Sequence, residues 1–140
     1  MIQSISMRNV LSFGADDTSL ELGPLTVLIG PNGCGKSNVL EVMYLLSRLP
    51  ATGPEVSLPI VDWIWKGGPS DAIARIEVLV DGIDTIRAPV LRHRLDFHAV
   101  AQRFTVDDEL IESKERLDPA AEKPFWLSIA FVQRCASSSA

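Results

Sequence analysis

Leu25-Thr-Val-Leu-Ile-Gly-Pro-Asn-Gly-Cys-Gly-Lys-Ser-Asn38 is the stretch on which the reading of this chain turns. Leu25 to Ile29 is a continuous apolar run rich in β-branched residues, which predicts a central strand buried on both faces. Gly30 to Ser37 then fits the full pattern G-x-x-x-x-G-K-[ST]. Gly30, Gly33 and Gly35 permit backbone angles closed to other residues and leave room for phosphate oxygens. The N–H groups of such a loop point inward as a nest for the α/β-phosphates, and the next helix adds its positive end. Lys36 is placed to reach the β- and γ-phosphates, and the Ser37 hydroxyl to ligate Mg²⁺. The chemistry implied is binding of a nucleoside triphosphate, ATP, with Mg²⁺. Its candidate contacts are Gly30, Pro31, Asn32, Gly33, Cys34, Gly35, Lys36, Ser37 and Asn38, with Ser37 as the metal ligand.

Working outward, residues 36–49 predict a helix that Pro50 stops. Val39, Val42, Met43, Leu46 and Leu49 form one stripe, widened by Leu40 and Leu45, as in a helix held against a sheet. Upstream, residues 2–10 read as a strand with Ile5 and Met7 on its apolar side, and Thr18 to Leu22 alternates as a second. Downstream, 50–70 is rich in proline and glycine and reads as loop, anchored by Trp63, Ile64 and Trp65. Three strands follow, at 73–80, 90–99 and 102–111, with Ala74, Ile76, Val78, Val80, then Leu91, His93, Leu95, Phe97, then Phe104 and Val106 facing inward. No helix separates them, so they form an antiparallel meander. The fold class is α/β with α+β character: a P-loop lobe over residues 1–134 carrying a β-rich antiparallel part, and a frayed tail at 135–140.

Composition narrows the class. A chain of 140 residues with 46% apolar and 22% charged residues suits one soluble domain with a real core. A net charge of −5 excludes a general polyanion binder, so nucleic acid would need a local basic patch or a partner chain. No apolar run approaches a membrane span, and MIQSISMRNV lacks the regions of a signal peptide. The two cysteines, Cys34 and Cys135, make no disulfide framework, and the expected compartment is a reducing cytoplasm.

Asn9-Val-Leu-Ser-Phe13, the strand ending Leu22-Gly-Pro24, and Gly30-Pro-Asn-Gly-Cys-Gly-Lys-Ser-Asn38 together resemble the N-terminal segment of RecF/RecN/SMC-type ATPases of the ABC superfamily, including OLD-like ATPases. Asn32 and Asn38 favour this group over a generic P-loop protein. The resemblance covers Ile2 to Leu46 closely and the later strands in outline. It implies an AAA/ABC-type ATPase of DNA repair, recombination or chromosome segregation, with a Walker B strand, a catalytic base, a signature motif and a Q-loop glutamine elsewhere. None of these is legible here. Asp107-Asp108-Glu109 follows only Phe-Thr-Val and reads as a solvated hairpin end, and Gln102 and Gln133 lack convincing flanks. The catalytic residues are therefore unassigned. The chain is expected to be a half-site completed by a C-terminal ATPase half or a homodimer, from a truncated or a split gene product.

The remaining features have bland readings beside sharper ones. Cys34 is a neutral spacer, or a thiol activated at a helix N-terminus. Arg87, Arg92, Arg94, His98 and Arg103 are a solvated face, or a DNA-phosphate contact. His93 is a core histidine rather than a metal ligand, and Trp63 and Trp65 pack rather than stack on a base. Three function classes stay open: an ATPase completed by another chain, a non-catalytic nucleotide-binding fragment or interaction module, and an ABC transporter-type ATPase subunit.

Overall fold

The computed structural model describes residues 1–52, 63–81, 90–100, 103–114 and 128–131. In chain order these form β1 (Ile2–Arg8), β2 (Thr18–Glu21), β3 (Thr26–Ile29), α1 (Lys36–Thr52), β4 (Ala74–Asp81), β5 (Val90–Val100), β6 (Arg103–Lys114) and β7 (Ser128–Phe131). Five strands make one antiparallel sheet in the order β2-β1-β4-β5-β6, and β3 pairs in parallel with β7. The expected meander is β4-β5-β6.

Alternation puts one side of this sheet into the core. Ile5 and Met7 of β1, Leu20 of β2, Ala74, Ile76 and Val78 of β4, and Leu95 and Phe97 of β5 are buried. Val39, Val42 and Leu45 of α1 join the same cluster, with Met43 and Leu46 packed at its margin. A side chain of this size contributes roughly 1.5–3 kcal/mol when fully buried, so this cluster holds α1 against the strands. The opposite face of β4 to β6 is charged. Arg92 bonds Glu77 and Glu112, Arg94 bonds Asp108, and Arg75 bonds Asp96.

Several expectations need correction. The helix runs through Pro50 to Thr52, because a proline in the last turn removes one hydrogen bond and leaves the helix already built behind it. Leu40 lies outside the buried stripe, at 61% exposed. Val39, Val42 and Leu45, spaced three apart, already fill the contact. The side chain of Leu49 lies outside the described residues. β1 ends at Arg8 because Asn9 adopts a left-handed φ of 54°. Leu91 and Val106 are exposed: Leu91 lies near the start of β5, past the core residues Leu95 and Phe97, and Val106 stands opposite buried Phe97 but on β6, the outermost strand of the sheet. His93 is no core residue: its Nε2 shares a 2.8 Å hydrogen bond with exposed Glu109. Asp107, Asp108 and Glu109 sit within β6, beside a bulge, and not at a hairpin end.

The largest departure concerns β3. It is half-buried on one face and exposed on the other. Leu28 packs against the core, while Leu25, Val27 and Ile29 are 64%, 40% and 47% exposed. Its partner β7 falls in the apolar run 125–132, where Ile129 and Phe131 alternate with Ser128 and Ala130, a stretch to which no strand is assigned above. Phe104 and Arg103 side chains, Arg87, Gln102, Gln133, Cys135 and the tail lie outside the described residues.

Candidate phosphate-binding site

The backbone leaves β3 at Ile29 and becomes helical at Lys36, and the six residues between them form the loop. Two of its glycines adopt left-handed angles, Gly33 at φ 75° and Gly35 at φ 101°. They differ in surroundings. A Cβ at Gly33 would meet nothing within 4 Å, whereas one at Gly35 would lie 2.8 Å from Ser12 Oγ and 3.4 Å from the Phe13 ring. Gly33 thus faces open space, and Gly35 marks where the loop is pressed onto the protein.

Lys36 lies across the loop. Its ammonium donates to the carbonyls of Gly30 at 2.8 Å and Pro31 at 2.7 Å, and to Cys34 Sγ at 3.7 Å. Cys34 is buried, 3% exposed, which suits the spacer reading. Pro31, Asn32, Gly33 and Ser37 are exposed. Among the described residues the N–H groups of Asn32, Gly33 and Gly35 have no backbone acceptor, and the first helical bond of this turn is Val39 N–H to Gly35 O at 3.1 Å. Unpaired amides, an ammonium and an exposed hydroxyl at a helix N-terminus form a donor set suited to a polyanion with a hard cation. The residues present therefore fit a Mg²⁺–nucleotide.

Asn38 points the other way. Its Nδ2 donates to Ser12 Oγ at 2.7 Å. Ser12 belongs to a tight turn in which Val10 and Phe13 exchange backbone hydrogen bonds of 3.1 and 2.8 Å, with Leu11 at φ 52°. The turn is stitched to its surroundings. Asn9 N–H donates to Gly14 O, Leu11 N–H to Trp63 O, and Trp65 N–H to Asn9 O, at 2.8, 2.7 and 3.0 Å. The Asn9 side chain donates to Ile73 O at 3.0 Å. Phe13 is fully buried. The Trp65 indole packs against Gly14 and Gly68, and a side chain at Gly67 would run into it, so packing accounts for Trp65.

Residues 25–132 match the model of a family described as "AAA domain, putative AbiEii toxin, Type IV TA system". The chain belongs to this AAA-domain family. The match opens on the first residue of the apolar run before the loop. Among relatives of this AAA-domain chain is the DNA replication and repair protein RecF of Acaryochloris marina, 27% identical over 79% of this chain and 32% of the relative. RecF of Rhodococcus erythropolis is 30% identical over 81% of this chain and 22% of the relative. The chain thus spans about a third or less of the length of the curated relatives it matches.

Two solved structures resemble it. One comes from a study of ATP-driven dimerization and DNA-stimulated activation of SMC ATPases, with TM-score 0.57, 17% identity, and coverage of 85% of this chain and 73% of that one. The other is an SmcHead bound to the C-winged helix domain of ScpA, with TM-score 0.58, 19% identity, and coverage of 85% and 37%. At such identity the likeness carries the fold. It is the α/β P-loop fold of SMC-type ATPase heads, so the RecF/SMC resemblance read from the sequence holds.

The basic residues of β5 are brought opposite acids. Arg92 lies between Glu77 and Glu112, Arg94 meets Asp108, and His98 Nδ1 is 2.7 Å from Asp107. Each charge has a counter-charge, as a solvated face requires. Among the described residues no helix is long and apolar enough to cross a membrane. Ser12 is the site residue to which reading of the sequence assigned no role. Its signal was the Asn9-Val-Leu-Ser-Phe13 spacing, visible as a pattern but without a partner until Asn38 came beside it.

Proposed function

We propose that this chain binds ATP with Mg²⁺ through Gly30–Ser37, as the nucleotide-binding lobe of a repair- or segregation-type ATPase whose catalytic groups come from a further segment or a second chain. The observation that carries this is the loop itself: left-handed Gly33 and Gly35, unpaired amides, and Lys36 across the mouth. Lys36 meets the β- and γ-phosphates, and Ser37 offers its hydroxyl to the metal. Ser37 would hold Mg²⁺, which would supply charge neutralisation at the phosphates. A reducing cytoplasm is the compartment that fits.

Hydrolysis also needs a group to orient water. Asp107, Asp108 and Glu109 are poor candidates, because all three are exposed on β6, outside the β3–β7 pair, and face His98, Arg94 and His93. This favours a chain that binds without hydrolysing alone, and keeps a nucleotide-binding interaction module as the second reading. Gln133 gains support as the Q-loop residue. In sequence it follows β7 by two residues, and β7 runs parallel to β3 with Phe131 opposite Ile29, the last residue before the loop.

The test is calorimetric titration with MgATP, alongside phosphate release by the purified chain. Binding that Lys36→Ala weakens roughly tenfold or more, with turnover at background, is the expected result. No binding by the wild type overturns the nucleotide reading. Robust turnover lost in Lys36→Ala overturns the half-site.

A further inference from the structure

We propose that Ser12 is a positioning residue for the phosphate loop, and that the turn Asn9–Phe13 with Asn38 forms a clasp that sets the loop's shape before a phosphate arrives. The proposal rests on the nucleotide reading above and adds a residue to it. Ser12 Oγ holds two relationships at once. It accepts a 2.7 Å hydrogen bond from Asn38, one residue past Ser37. It also fills the space beside Gly35 that a Cβ would need, with the Phe13 ring behind it. The clasp therefore touches the loop on both sides of Lys36.

The geometry is built rather than incidental. Asn9 and Leu11 both hold left-handed angles that non-glycine residues seldom adopt. Such strain persists only where the surroundings over-determine it, and here four hydrogen bonds to Gly14, Trp63, Trp65 and Ile73 do so. Had Asn38 served the helix alone, its amide would meet a backbone group of its own turn. Instead it reaches a hydroxyl 26 residues earlier. A loop held this way loses little conformational freedom on binding, so more of the contact energy appears as affinity.

The experiment is MgATP calorimetry with thermal melts on wild type, Lys36→Ala, Ser12→Ala, Asn38→Ala, the Ser12→Ala/Asn38→Ala pair, and Ser12→Thr. Ser12→Ala and Asn38→Ala should each weaken binding about five- to tenfold, the worth of one hydrogen bond. The pair should be no weaker than either single change, because both delete the same bond. Ser12→Thr, which keeps the hydroxyl, should restore affinity to within about twofold of wild type. Wild-type affinity in Ser12→Ala, or additive losses in the pair, overturns the clasp and leaves the P-loop standing if Lys36→Ala still weakens binding roughly tenfold or more. A wild type that does not bind ATP overturns both. Should Ser12→Ala melt early, Asn38→Ala, altered on the helix side, carries the same comparison.

Discussion

Arg75 and Asp96 stand directly opposite each other on β4 and β5, joined by two hydrogen bonds, Nε to Oδ1 at 2.6 Å and Nη2 to Oδ2 at 2.7 Å. Asp96 is only 6% exposed, and it is the buried charged residue at the back of the sheet that carries the core. The hydrogen bond from Arg75 holds its carboxyl below the usual range, against the opposing effect of burial. A carboxyl depressed in the folded state stabilises the fold above its unfolded pKa, and that stability is lost as pH falls through the folded value. Thermal stability should therefore be flat near neutrality and decline below about pH 4. Asp96→Asn should cost about 1–3 kcal/mol and flatten the acid limb. Melts of both proteins from neutral to acid pH check this, and an unchanged acid limb in Asp96→Asn refutes it.

The same pair shows what the sequence could and could not convey. Alternation along 73–80 and 90–99 located β4 and β5 and their inward residues, because a half-buried strand writes its burial at period two. It could not reveal that the outward Arg75 and Asp96 are partners, since pairing depends on register between strands. The phosphate loop was legible because its glycines and Lys36 act through local backbone. β3 misled for the opposite reason. An apolar run records the burial of a completed sheet, and here Leu25, Val27 and Ile29 face outward. Ser128–Phe131 lies in an apolar run that marks a strand, but its place beside β3 is a long-range pairing that no local pattern records.

Gly35→Ala is expected to be the most damaging single methyl in the loop. The φ of 101° disfavours any side chain, and the added carbon would meet Ser12 Oγ at 2.8 Å. Gly33→Ala shares only the first penalty, as its surroundings are open. Melting temperatures should fall in the order wild type, Gly33→Ala, Gly35→Ala. Equal melting of the two variants would contradict the packing described.

Lys36→Ala should remove the charge that meets the β- and γ-phosphates. A charge-assisted contact of this kind is worth ~1.5–3 kcal/mol, roughly tenfold or more in affinity. It also deletes the two bonds to Gly30 and Pro31, both local to the loop, so the core and the melting temperature should change little. Calorimetry showing unchanged ATP affinity would remove the phosphate loop from the account.

Ser37→Ala should lessen the Mg²⁺ dependence of ATP binding, because it deletes a first-shell oxygen at an exposed position. The comparison is affinity with Mg²⁺ against affinity with excess chelator. Wild type should lose affinity on chelation, and Ser37→Ala should lose much less. Equal wild-type binding in both conditions would mean that the hydroxyl has no metal to hold.

The outward face of β3 leads to a prediction about association. Leu25, Val27 and Ile29 form one exposed apolar row on a strand that, among the described residues, pairs only with β7. Covering each of these side chains is worth roughly 1–2 kcal/mol, given that each is already partly buried. An apolar row beside an open strand edge tends to recruit another chain. The isolated protein should therefore self-associate as concentration rises. Val27→Lys should weaken that association without loss of melting temperature, since Val27 points away from the core and Leu28 alone faces it. Sedimentation of both proteins over a concentration series decides the matter. A wild type that stays monomeric throughout would show that the row is already covered. A Val27→Lys protein that melts much earlier would show that the row belongs to the chain's own core.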